Sequence, residues 1–187
     1  MRTLIFAALL ASCGIGHAAD PRAADLSYQP WTKFCLTQSN CYLGTSANGK
    51  CTPSGGAVTL SLQNDNRAIL TANFAMRTLL EGPISLRIDQ DEPLKISNPH
   101  CYASGCAGTL EADGGMVERL KHAQSITMEA TSMAGQKLSI SFPLADFTKT
   151  YDGSGRPLPK TIEQSLAELR EMQQRAKNEP PPPACED

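Results

Sequence analysis

Between Trp31 and Phe142 hydrophobic and polar side chains alternate in short runs. "VTLSL" sends Val58, Leu60 and Leu62 one way and Thr59 and Ser61 the other. In "ISLRID", Ile84, Leu86 and Ile88 share a side opposite Ser85, Arg87 and Asp89. "LKIS" (Leu94, Ile96), "SITMEAT" (Ile126, Met128, Ala130) and "KLSISF" (Leu138, Ile140, Phe142) repeat the pattern, and "WTKFCL" shows it weakly. Successive side chains of a strand point to opposite faces, so period two predicts strands with one buried face. Turn formers separate the runs: Asn48-Gly49, Ser54-Gly55-Gly56, "QNDNR", Glu81-Gly82-Pro83, "DQDEP", Asp113-Gly114-Gly115 and Ala134-Gly135. Short antiparallel strands punctuated about every ten residues predict an all-β sandwich or barrel. "GMVERLKHAQ" fits one or two helical turns closing a gap between strands.

The pattern changes after Tyr151. Residues 154–160, rich in Gly and Pro, read as a linker. Residues 161–179 then place Ile162, Leu166, Leu169 and Met172 on one helical face. Thr161 and Gln164 resemble a capping box, and Glu171 and Arg175 form a favourable i,i+4 pair. A C-terminal α-helix is therefore expected to be appended to the β-domain of residues 19–153. Pro180 ends it, and residues 180–187 make a proline-rich tail with polyproline II character.

At the other end, residues 1–18 read as an export signal. Arg2 supplies the charged start, Leu4 to Leu10 the apolar run, and Gly16-His17-Ala18 the small residues before a cut. A run that short cannot span a membrane, which takes about 20 apolar residues. The alternative is a lipoprotein signal over residues 1–12 ending in "LAS", with Cys13 lipidated as the new N-terminus. Both readings place the chain in the periplasm or at the cell surface.

Either way Cys13 leaves the structural pool, and seven cysteines become six. An even set in an oxidising compartment argues for disulfides. Metal sites use closer or paired spacings with further ligands, and redox sites use Cys-x-x-Cys at a helix start. "CYASGC" has neither. Cys101 and Cys106 are expected to face each other across a four-residue hairpin loop, and Cys35 and Cys41 to do so across "LTQSN". Elimination pairs Cys51 with Cys185, closing a long loop that would pin the tail against the sandwich.

Losing Arg2 takes the formal net charge of −2 to about −3, which gives no reason to expect nucleic acid as a partner. The chain shows no nucleophile elbow, phosphate-binding glycine loop or His-Glu-x-x-His. His100 lacks a partnered nucleophile, and His122 reads as solvated. Asp89, Asp91 and Glu92 could suit calcium, but the patterned loop of an EF-hand is missing, so a charged hairpin tip is expected. Met116, Met128, Met133 and Met172 read mostly as core packing. No catalytic, metal-binding or cofactor-binding residue is expected, so a non-enzymatic binding protein is the leading expectation, with a periplasmic enzyme of unknown class or a structural, self-associating envelope protein as the alternatives.

One family shares this order of features. The early Trp31, the pair Cys35 and Cys41, then Gly82, Leu86, Ile88 and Asp89 in "LLEGPISLRID" come first. Cys101, Gly105 and Cys106 follow, and Leu144, Phe147 and Tyr151 close the series in "SFPLADFTKTYDG". Over roughly residues 26–153 the chain resembles the invasion-associated locus B family of exported Gram-negative proteins. That resemblance implies an immunoglobulin-like β-sandwich in the periplasm or at the surface, without established catalytic residues or cofactor. Some members are linked to bacterial entry into host cells, so the expected partner is a protein or cell-surface component. Cys51, Cys185 and the helical tail depart from the family pattern.

Overall fold

A computed structural model describes residues 26–37, 39–49, 55–63, 67–75, 79–96, 99–102, 105–157, 170–171 and 174–175. The expected export signal, Cys13, Cys51, Cys185, the proline-rich tail and most of residues 161–179 lie outside these. Strands dominate: β1 (Leu26–Tyr28), β2 (Thr32–Thr37), β3 (Asn40–Gly49), β4 (Gly55–Leu62), β5 (Ala68–Ala75), β6 (Leu80–Ile88), β7 (Leu94–Ile96), β8 (His100–Tyr102), β9 (Gly105–Ala112), β10 (Ser125–Ser132), β11 (Lys137–Pro143) and β12 (Arg156–Pro157). Among the described residues, helices α1 (Gly114–His122) and α2 (Phe147–Asp152) interrupt them.

The strands form two sheets. Sheet A runs β12-β2-β3-β4-β5-β9-β8, with β1 also pairing with β3, and sheet B runs β11-β10-β6-β7. Between β4 and β11 this order is that of an immunoglobulin-like sandwich. β4, β5, β9 and β8 stand where strands A, B, E and D stand, and β11, β10, β6 and β7 stand for G, F, C and C′. A meander of β1, β2 and β3 widens sheet A beyond its A strand.

One hydrophobic cluster fills the space between the sheets. Val58 and Leu60, Leu70 and Phe74, Ile84 and Leu86, Ile126 and Met128, and Phe142 are all buried there. The clearly alternating runs thus became strands facing as expected. β3, β5 and β9 were not apparent in the sequence because small groups alternate with the large ones at their inward positions. β5 alternates Ala68, Leu70, Ala72 and Phe74 with Ile69, Thr71 and Asn73, a weak contrast. β9 turns Gly108 inward, where a Cβ would run into the Ile96 side chain.

Several expectations need correction. The segment 154–160 is not wholly a linker, since Arg156 and Pro157 pair in parallel with Phe34 and Cys35 at the edge of sheet A. Met116 and Met128 are buried, but Met133 is exposed at the turn after β10, and Met172 lies outside the described residues. The stretch after β11 gives α2, which was not expected.

Helix α1 follows the predicted short helix. Asp113 caps it, accepting a hydrogen bond from the Met116 N–H at 2.7 Å, and Met116, Val117 and Leu120 face the core. Its last-turn Lys121 bridges to Asp152 of α2 at 3.1 Å and to Glu118 at 3.3 Å. The hydrogen bond to Asp152 raises the Lys121 pKa above its ordinary 10.5, against its partial loss of water, and Glu118 adds to the rise. The share of stability that Lys121 contributes through this rise is therefore present below its ordinary 10.5 and lost as pH climbs through the raised value.

Candidate binding surface

The motif residues occupy scaffold positions. Trp31 lies buried where the chain enters β2, and its indole N–H donates to the Pro143 carbonyl at 2.8 Å. Its ring meets the buried Phe147 edge-on, with centroids 5.0 Å apart, and Phe147 in turn lies 5.9 Å from Tyr151. Lys121 sits over the Tyr151 ring at 4.5 Å, and Lys33 donates to the Tyr151 and Gly153 carbonyls. These contacts clamp α2 across the end of the sandwich, joining the meander of sheet A to the end of sheet B.

Asp89 is spent the same way. It follows β6 with a φ of 46°, and its carboxylate accepts from the backbone N–H groups of Gln124 and Ser125 and from the Ser125 hydroxyl. It fixes the start of β10 against the end of β6. The charged tip of the β6–β7 hairpin is present as expected, with Asp91 and Glu92 exposed, but Asp89 is in addition a buttress, with a partner 35 residues away in sequence and no local signature. Among the described residues no three His, Cys, Asp or Glu side chains gather as a metal site would need.

Two disulfides lie within sheet A. Cys35 bonds Cys41 between β2 and β3, and Cys101 bonds Cys106 between β8 and β9. Both join directly opposed residues. An antibody domain instead joins strands B and F through the core. Here the corresponding β5 and β10 present Leu70, Phe74, Ile126 and Met128. The ladder of the second hairpin continues past its disulfide to pair Tyr102 with Gly105, so the connection is tighter than a four-residue loop. Gly105 has a φ of +143°, and a Cβ there would collide with the Phe74 carbonyl oxygen.

The outer face of sheet A follows from register. One row reads Thr32, Gly44, Thr59, Thr71 and Thr109 across five strands. The row on one side reads Phe34, Tyr42, Ser61, Ile69 and Glu111. The row on the other reads Ser46, Ala57, Asn73, Ala107 and His100. Glu111 is the one acidic side chain in these rows. Large groups stand at two opposite places. Phe34 and Tyr42, a directly opposed pair, are 38% and 45% exposed. At the far edge Tyr102 is 67% exposed on the stapled hairpin, beside exposed His100. The one sequence signal for Tyr102 is an aromatic residue between two bonded cysteines.

A family model described as "Invasion associated locus B (IalB) protein" matches residues 31–155. The chain belongs to the invasion-associated locus B family. No curated protein matches it. A crystal structure of invasion associated protein B from Bartonella henselae superposes with a TM-score of 0.53 at 16% identity. The match covers 79% of this chain and 96% of that one. At that identity the likeness speaks for the fold alone. The IalB match begins at Trp31 and ends at Gly155, so it spans the aromatic clamp and both in-sheet disulfides. The segment from residue 156 onward lies beyond it.

Proposed function

We propose that this IalB-family chain is an exported envelope protein that works by binding a protein or cell-surface component and performs no catalysis. Its contact centre is the stapled β8–β9 hairpin. The observation that carries this reading is Tyr102, an exposed aromatic side chain on a short hairpin held by a disulfide. Aromatic anchors dominate binding energy at protein interfaces. A hairpin fixed before contact loses little entropy on binding. The leader supports export to the periplasm or surface, with release after Ala18 or a lipid anchor at Cys13.

The test uses labelled mature protein bound to isolated bacterial envelopes and, separately, to cultured animal cells. Tyr102→Ala is expected to weaken whichever binding is found by about 30-fold, the equivalent of a 2 kcal/mol anchor. Replacing both Cys101 and Cys106 by serine keeps the ring but frees the hairpin. A smaller loss is expected there, with stability falling by about 2 kcal/mol. Unchanged affinity in Tyr102→Ala would move the contact elsewhere. Turnover of ester, peptide or glycan substrates that vanishes in His100→Ala would replace binding with catalysis.

A further inference from the structure

We infer that the amphipathic segment 161–179 of this chain lies along the outer face of sheet A, over Phe34 and Tyr42, and is locked there by a Cys51–Cys185 disulfide. This goes beyond the proposed binding role and stands whether or not Tyr102 is the contact residue.

Four observations converge. The first is a surface that lacks a cover. Phe34, Tyr42 and, at 52% exposed, Leu36 cluster where β2 meets the start of β3. The sheet beyond them carries threonine, serine, alanine and glycine with Ile69 and Asn73, without a charge until Glu111; Arg156, paired with Phe34, stands at the sheet's outer edge, where it reaches solvent. Such a face accepts an apolar helix stripe without stranding an ion beneath it.

The second is where the chain departs. Pro157 pairs with Cys35 in β12, parallel to β2. The next residues therefore leave at the end of sheet A where β3 begins, beside Phe34. Three residues, Leu158 to Lys160, separate this exit from the capping-box Thr161.

The third is length. At 1.5 Å per residue a helix over 161–179 rises about 28 Å. β3 has ten residues, a run of about 34 Å at ~3.4 Å each. A helix running alongside β3 thus spans most of the face, and the four prolines add roughly 12 Å of extended chain. That delivers Cys185 to the far end of β3. Cys51 stands two positions after Gly49, the last residue of β3.

The fourth is the helix's own polarity. Arg170, Glu171, Gln174 and Arg175 are helical and exposed. At 3.6 residues per turn, Glu171, Gln174 and Arg175 fall opposite the stripe of Ile162, Leu166 and Leu169. Glu171 and Arg175 pair with each other at 3.7 Å along that side. The stripe is left for the sheet. This course follows β3 and leaves Tyr102, at the opposite edge, uncovered.

Two measurements on the full chain test this. In a non-reducing tryptic map, Cys51 falls in the peptide 51–67 and Cys185 in 178–187; the two should appear as one disulfide-linked species. Free thiols at both, or bonds to other cysteines, overturn the lock. Amide hydrogen exchange then locates the helix. Residues 162–176 should be protected, and Tyr42→Asp should speed their exchange at least tenfold while β5 and β9 stay protected. Should Tyr42→Asp disturb the sheet itself, Leu169→Asp makes the reciprocal change from the helix side. Helix protection indifferent to both substitutions, or protection that appears only as the chain dimerises, overturns the placement.

Discussion

Trp31→Ala is expected to lower the unfolding free energy by about 3–5 kcal/mol, the range for truncating a buried aromatic side chain. The site explains why the loss falls at the upper end. Trp31 is buried, packs edge-on to Phe147 and donates to the Pro143 carbonyl at 2.8 Å. Alanine removes the ring contact, leaves a cavity between β2 and α2, and deprives a part-buried carbonyl of its donor. Whole domains have only about 5–15 kcal/mol to lose. The protein should therefore remain folded in water but melt at much lower urea, with an unchanged slope. Trp31→Phe separates the terms. It keeps most of the packing and loses the hydrogen bond, so a smaller drop of about 1–2 kcal/mol is expected. Equal midpoints for Trp31→Ala and the parent chain would refute the clamp.

Gly105→Ala should be nearly as damaging, although it adds a single methyl group. Its φ of +143° is one that L side chains rarely adopt, and the new Cβ would collide with the carbonyl oxygen of Phe74. That oxygen belongs to β5, whose Phe74 stands opposite Cys106. Backbone at the centre of a sheet cannot step aside, so β9 must move and carry the stapled hairpin with it. A loss of about 3 kcal/mol or more is expected, combining overpacking and backbone strain. Gly82→Ala is the control. Its φ is +81°, but nothing lies within 4 Å of the added Cβ, so only the conformational cost of about 1 kcal/mol should appear. Urea melts of the two variants side by side check the contrast. Equal effects would mean that strain alone, and not the approach of β5, sets the requirement for glycine.

What the sequence disclosed follows from the range of each interaction. Period-two alternation is local, so β6, β10 and β11 were legible with the correct buried face. The two in-sheet disulfides pair cysteines six and five residues apart, and short spacing across turn residues suggested both. Strand order is not local. Nothing between Ile84 and Ile88 says that β10, rather than β5, will lie beside them; the crossing connections decide it. The Asp89 buttress and the Trp31 clamp are contacts at long separation and carry no sequence pattern. β12 was hidden by its own composition, since Gly155, Arg156 and Pro157 read as linker until β2 offers an edge to pair with. The candidate site was least legible. His100 drew attention as a titratable group, whereas the distinctive residue is its neighbour Tyr102, two positions on and exposed by the tight turn.

Sulfur acts as covalent bracing across two hairpins of this strand-built module. Trypsin places Cys35 and Cys41 together in the peptide 34–50, and Cys101 and Cys106 together in 96–119. The direct measurement is alkylation of the natively purified protein, without reductant, followed by a tryptic mass map. Both peptides should be recovered unlabelled and lighter than their reduced forms by two hydrogens. Recovery of both as doubly alkylated thiols from metal-free protein would contradict it.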